Sequence, residues 1–365
     1  MARDSEHKLM DQTTWQVRRS DYDKMMLEEA VARGATLLDG QATDPILDDE
    51  GVVRGVEVRM ADGGLQRVES ELLVDASGQS TYLANKGVTG PKYLGSYDRQ
   101  IAIFSQVVGG IRDDGDTRDA QEGNTLIFYK EKYHWAWWIP IDGEITSVGV
   151  VIPAAYFLEK GESKKDFLTR ELQNIHPELT RRLPEINLVE EARAIKNYSY
   201  QVRGFAGKGY LCLGDAHRFV DPIFSFGLYV TQKEAQIAAP VIREYLEGKR
   251  RDLENPFADY QLYVEKGIDV LEDALDGFWE HPFAFAMLVY HRYVDQMVDI
   301  FAGRIYEHQP SDAVNAFRVL LKRERTYGAD DYSIPIGSRY HAERAPIWVE
   351  DSSDLGRLNA VLDLE

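Results

Sequence analysis

The segment "GYLCLGDAHRFVDPIFSFGLYVTQKEAQIAAPVI" holds the densest set of residues whose types and spacing suit chemistry. An apolar strand ends at Gly214-Asp215, a turn marked by Pro222 follows, and a helix rich in small residues starts near Gly227. Ligands settle at the carboxyl ends of strands in α/β sheets, and the free N–H groups of a first helical turn attract anionic or carbonyl oxygens. Asp215 is then placed to accept from ligand hydroxyls, while the amides near Gly227 and Leu228 face an acceptor. Taken alone, the segment reads more readily as a plain turn capped by Asp215. A second apolar strand, "LLVDASGQST" from Leu72 to Thr81, also ends in an acidic residue and a glycine. The two strand ends are expected to face one ligand.

The stretch "YHWAWWIPIDG" places three of the six tryptophans within four positions and stops them with Pro140. Strand alternation puts Trp135 and Trp137 on one face, Ala136 and Trp138 on the other. Trp138 reads as core. No pair among the eight histidines has the spacing of metal ligands on one face, so no metal site is expected. His217 lies inside the Gly-Asp turn, where ligand contact and solvent exposure are both open.

These residues need elements to position them. "DYDKMMLEEAVARG" reads as one short amphipathic helix with Tyr22, Met25, Met26, Leu27 and Ala30 at helical spacing, stopped by Gly34. Next comes a β-meander punctuated by "DDEG" and "ADGG", ending in the buried strand "ELLVDASG". Residues 100–153 read as an antiparallel sheet, with "RDDGDTRDAQEGN" as a surface loop. "AAYFLEKGESKKDFLTRELQNI" is helical, "AIKNYSYQVRGFAGKGYLCLGDA" returns to strand, and from Leu228 onward almost everything is helical. The stretch from Asp330 to Glu365 has weak periodicity and reads as an irregular tail.

Composition narrows the function classes. At 365 residues and 44% hydrophobic content, the chain can bury a sizeable core. A formal charge of −19 repels polyanions and argues against nucleic acid or anionic membrane as partners. The single cysteine, Cys212, rules out an internal disulfide framework and reads as a buried thiol. No apolar run nears the ~20 residues of a membrane span, and the opening residues lack the features of a signal or transit peptide, so a cytoplasmic protein is expected.

The order of these features resembles the FAD-dependent monooxygenase and reductase superfamily, with its glutathione-reductase-like fold. Arg19, Tyr22 and Asp23 match "R-x-x-[FY]-D-x-x-L", with Met26 in place of the leucine. Asp75, Ala76, Ser77 and Gly78 match the strand end "D-[AG]-[SDA]-G". Gly214, Asp215 and Ala216 match "G-D-A", with Pro222 one residue closer than usual. Two further patterns resemble flavin-dependent halogenases: "W-x-W-x-I-P" at Trp135, Trp137, Ile139 and Pro140, and "F-x-x-P-x-x-S-x-G" at Phe219, Pro222, Ser225 and Gly227. The resemblance spans roughly residues 15 to 245. It implies that Arg19 lies near the flavin, that Asp75, Gly78, Gly214 and Asp215 serve FAD, and that the helix from Gly227 and Leu228 faces the isoalloxazine. It further implies that the amides of Phe226 and Gly227, beside Ser225, hold chloride or bromide, and that the tryptophan pattern walls flavin from substrate. In that family FAD reduced by a separate flavin reductase reacts with oxygen, halide attacks the flavin hydroperoxide, and hypohalous acid reaches an electron-rich ring by way of a lysine. Tryptophan-type halogenases carry a glutamate just before the serine; Phe224 stands there, which points to the phenol or pyrrole branch and to an aromatic or carrier-tethered substrate.

One departure is large. The "G-x-G-x-x-G" strand and helix that receive the FAD pyrophosphate occur nowhere in the 365 residues. The reading is of an α+β or α/β chain with an incomplete FAD-binding fold, its first βαβ unit and catalytic lysine lying in roughly 80 to 100 residues upstream. Lys8 does not suit that lysine's role. The expected parts are a partial FAD-binding domain over 1–99, an antiparallel-sheet substrate domain over 100–200, a return to the FAD-binding domain over 201–250, and a helical region over 251–365 that covers the substrate chamber, with Phe283 and Tyr290 as candidate lining. Two alternatives stay open: a flavin hydroxylase or geranylgeranyl-reductase-like enzyme, and a non-catalytic binding protein that has lost FAD.

Overall fold

The computed structural model describes residues 2–3, 8–10, 15–90, 92–94, 100–115, 121–197, 199–306 and 311–323. They fall into two compact units: one drawn from Met1–Gln12, Leu37–Ser96 and Ser199–Trp348, the other from Thr13–Thr36 and Tyr97–Tyr198. The expected tail from Asp330 lies outside the described residues, as do residues 116–120 of the expected loop.

In the first unit, strands Gly40–Leu47, Val53–Met60 and Leu65–Glu69 form the expected antiparallel meander. Its turns are built locally. The Asp48 carboxylate accepts from the amides of Glu50 and Val52, and Asp62 accepts from that of Gly64, the short-range bonding that favours aspartate in turns. The strand that follows departs from expectation. Leu73–Asp75 leaves the meander and pairs in parallel with Tyr210–Cys212, itself antiparallel to Ala206–Gly207. It is only partly buried, since Val74 is exposed. A third sheet joins Lys92–Leu94, Tyr200–Val202 and Arg218–Phe219.

Helices Gly227–Leu246 and Ala258–Glu280 pack on these sheets, burying Leu83, Val202, Phe205, Leu211, Val264 and Ile268 in one core. The C-terminal half of the second helix anchors another, with Leu271, Phe285, Met297, Ile300 and Phe317, over helices Pro282–Met287, Val294–Phe301 and Asp312–Leu320. A π-helical turn, Leu288–Arg292, joins the first two of these.

The second unit holds helix Arg19–Ala32 and an antiparallel sheet in the order Asn187–Leu188, Gln100–Val108, Ile145–Pro153, His134–Asp142, Leu126–Glu131, with Arg193–Asn197 also on Gln100–Val108. Helices Ala154–Lys160, Lys164–Asn174 and Pro177–Arg182 cover one face, around Ile101, Ile103, Trp138, Val148, Val150 and Phe167. The helix at Arg19 is present but buries no residue; Met25, Met26, Leu27 and Val31 are all exposed. Helical spacing of apolar residues fixes a face without fixing what covers it.

Candidate functional site

The two strand ends expected to share a ligand do meet. Parallel pairing sets Asp75 beside Cys212, and the Leu213 amide donates to the Asp75 carbonyl at 2.9 Å. The turns that follow, Gly78–Ser80 and Gly214–Ala216, pack on each other, and the second packs on helix Gly227–Leu246. Asp75 itself is turned inward. Its carboxylate accepts from the amides of Ser77 at 2.9 Å and Leu83 at 2.8 Å, so it builds the turn that presents Gly78. Gly78 has φ +64°, and space in front of its Cα is open.

Asp215 is half-buried, and its carbonyl accepts from the Tyr200 hydroxyl. Tyr200 in turn stacks on Phe219, centroids 6.2 Å apart. At the next segment Asp221 caps the Pro222–Phe224 turn by accepting from the Ile223 amide at 2.9 Å. Ser225 then takes the left-handed conformation, φ +57°, and the helix begins at Gly227 with no side chain capping its first turn. First-turn amides have no intrahelical acceptor. Ser225 and Gly227 are exposed, and no atom lies within 4 Å of where a Cβ on Gly227 would sit. Open space at Gly78 and Gly227, uncapped amides, and an aspartate turn between them suit the riboflavin half of FAD and a small anion beside it.

Around this helix start lie aromatic rings. Phe224 contacts Phe278, Phe285 and Phe301 at centroid distances of 5.7, 6.0 and 5.1 Å, and Phe226 stacks on Phe301 at 6.3 Å. Phe283 and Tyr290, the candidate lining residues, are instead 81% and 73% exposed. They fall on the outer side of their helical segments, which the local apolar composition did not distinguish from the inner side.

Two residues that the sequence did not single out support the turns. The Lys92 amine is buried, donates to Thr81 Oγ1 at 3.0 Å and lies 3.9 Å from the Tyr200 ring centroid. Burial pushes its pKa down to about 7. A lysine inside the short apolar run "PKYL" was the available signal. Glu234 is the other, a carboxylate fully buried on the inner face of helix Gly227–Leu246. It bonds His217, which is buried rather than solvent-exposed. Cys212 is buried as expected, and burial, followed by the charges of Asp75 and Glu234, pushes its thiol well up and out of reactive range. No cluster of metal-ligating side chains occurs among the described residues.

The tryptophan strand lies in the other unit. Trp138 and Ala136 face the helices in the core, while Trp135 and Trp137 share the opposite face with their rings 6.0 Å apart. Trp135 is buried, and Trp137 is half-buried, donating Nε1–H to Ser147 Oγ at 3.1 Å. Ile139 and Pro140 continue the strand opposite Ser147 and Thr146. Arg19 is exposed at the start of its helix and pairs with Asp23 at 2.9 Å. No helix among the described residues is long and apolar enough to cross a membrane.

A family model described as tryptophan halogenase matches residues 3–246. A brominase of 1H-pyrrole-2-carbonyl peptidyl-carrier protein from Pseudoalteromonas luteoviolacea is 34% identical over 306 residues, covering 84% of this chain and 73% of that protein. The corresponding chlorinase of Pseudomonas fluorescens is 27% identical over 324 residues, covering 84% and 68%. Among solved structures, the flavin-dependent brominase Bmp2 superposes with a TM-score of 0.78 at 34% identity, over 85% of this chain and 76% of that one.

Proposed function

Because this chain belongs to the tryptophan-halogenase family and is an FAD-dependent halogenase of aromatic substrates, we propose that its substrate is a pyrrole-2-carbonyl group borne by a carrier protein. Its mixed α/β fold is that of solved FAD-dependent halogenases, and it uses FAD and halide. In our reading the fold is of the glutathione-reductase type. Residues 1–99 and 201–250 belong to the FAD-binding part, 100–200 to a substrate sheet, and 251–365 to a helical cover.

The observation that carries the site assignment is the uncapped helix start at Gly227, with open space before it, packed against the Gly214–Asp215 turn. Reduced FAD, supplied by a separate flavin reductase, provides the oxygen activation that oxidises halide. The chain's own residues bind and orient. Asp215 would accept from the ribityl hydroxyls, and the open space at Gly78 would leave room for the same chain. The left-handed turn at Ser225 leads into the helix start, where the amides of Phe226 and Gly227 would hold chloride or bromide. Leu228 and Pro222 would flank the isoalloxazine and Phe219 would border the halide, and the family pattern assigns Arg19 to the flavin. By the family pattern that they match, Trp135, Trp137, Ile139 and Pro140 are assigned to a wall of the substrate chamber. Phe224, ringed by phenylalanines, offers no charge to recognise an amino-acid ammonium, which supports a neutral pyrrole.

The test is to incubate the full-length gene product with FAD, NADH, a flavin reductase, bromide or chloride, and pyrrole-2-carbonyl carrier protein, then to weigh the product. A halide-dependent product with the halogen isotope pattern is expected. An oxygenated product indifferent to halide would point to hydroxylation, and no product from this substrate with halogenation of a free phenol would overturn the pyrrole assignment.

A further inference from the structure

We infer that Glu234 and His217 form a buried clasp that sets the Gly214–Asp215 turn in register with the amides at Gly227, making both positioning residues for flavin and halide. The inference rests on the site assignment above and adds residues that neither touch a ligand nor belong to the family patterns noted.

The geometry is local and complete within one unit. Gly227, Thr231 and Glu234 stand at i, i+4 and i+7, one stripe of the helix. Gly214 sits against that stripe twice. Its amide donates to Glu234 Oε2 at 2.5 Å, and at φ +57° any Cβ on it would collide with Thr231 Oγ1. Three residues on, His217 Nε2 lies 3.1 Å from both Glu234 oxygens, and its ring stacks on Phe205 with centroids 4.0 Å apart. A single carboxylate therefore holds the turn at both ends, with Asp215 between them.

The chemistry fixes the imidazole's tautomer. A carboxylate accepts, so Nε2 carries the proton. Nδ1 is buried without a hydrogen-bond partner, which suits a lone pair better than a second N–H. Burying a carboxylate opposite only a histidine and one amide is a poor source of stability, because desolvation offsets most of the attraction. What the arrangement does supply is position. The helix start and the aspartate turn come from one element pair whose spacing is set two turns from the helix N-terminus.

Two variants of the full chain test this. Glu234→Gln keeps the volume and one acceptor but opposes the His217 N–H with an amide, and His217→Phe keeps the stack on Phe205 while removing the donor. Each is scored by circular dichroism for folding, by flavin absorbance titration for FAD affinity, and by bromide dependence of turnover. The expected result is retained fold with FAD Kd and bromide KM both raised about tenfold, and kcat changed less. A purely structural pair would lower the melting temperature and leave both constants alone. Values within about twofold of wild type in the folded variants overturn the inference while leaving the site assignment standing. Failure of the unmodified full-length protein to bind FAD overturns the assignment and this inference with it. If Glu234→Gln does not fold, His217→Phe carries the comparison.

Discussion

At the scale of single residues, the site depends on groups whose burial is invisible in a string of letters. A turn at Asp215 and a helix start at Gly227 were legible because a Gly-Asp pair follows an apolar run and a glycine precedes small helical residues. Lys92 was not, because a charged letter in a short strand signals an exposed position far more often than a buried one. Its titration provides a prediction. The amine's pKa falls from 10.5 in the unfolded chain to about 7 in the folded one. Below about pH 7 both states are protonated, so the folded chain bears the full cost of a buried charge. Between there and 10.5 the folded chain releases its proton first, and the cost declines by at most ~1.4 kcal/mol per pH unit. Lys92→Met should therefore raise the melting temperature most near pH 6, by several degrees, and progressively less as the pH approaches 10. A gain that is flat across this range, measured by calorimetry, would falsify the assignment of Lys92 as a titrating interior amine.

Elements carry the next layer. The alternation of "WAWW" correctly separated Trp138, in the helix-covered core, from the pair Trp135 and Trp137. The opposing strand had to adapt: Gly149 is directly across from Trp137, and a Cβ there would collide with the indole. The strand Leu73–Asp75 was misread as the meander's last member because its true partner, Tyr210–Cys212, lies more than a hundred residues on, and parallel pairing leaves no local turn to announce it. The Arg19 helix was legible in position and illegible in burial, since nothing in its own residues states whether another element meets its apolar side. The two faces of the tryptophan strand are expected to differ energetically. Trp138→Ala empties a filled core and should cost about 3–5 kcal/mol of stability, while Trp137→Phe, which loses the hydrogen bond to Ser147, should cost about 1 kcal/mol. Equal losses for the two in urea titrations would mean that both faces of the strand are core, which removes the basis for a wall.

For the whole molecule, the organisation that no local signal reveals is how distant stretches converge on one helix. The units are discontinuous in sequence, and within the first of them the 23-residue helix Ala258–Glu280 serves two cores. It also carries a row of buried acids. Asp269 and Glu272 pair with Arg218 at 2.7 and 3.0 Å, and Asp273 pairs with both Arg318 and Arg323 at 2.7 Å. In the fold these charges bolt the strand beside the Gly-Asp turn and the last described helix to a common axis. Such pairs contribute little net stability while intact, because desolvation offsets attraction, but removing one partner strands the other charge. Arg218 is one residue from His217, so its loss tests the axis next to the site. Arg218→Leu should destabilise the chain by about 3–5 kcal/mol, leaving Asp269 and Glu272 without this guanidinium. Adding Asp269→Asn and Glu272→Gln to the same chain should recover a large part of that loss, because the carboxylates that faced Arg218 are then neutral. A melting temperature indifferent to Arg218→Leu, or a triple variant worse than the single by the sum of its parts, would show that the buried row acts as independent pairs and that the helix is an axis by packing alone.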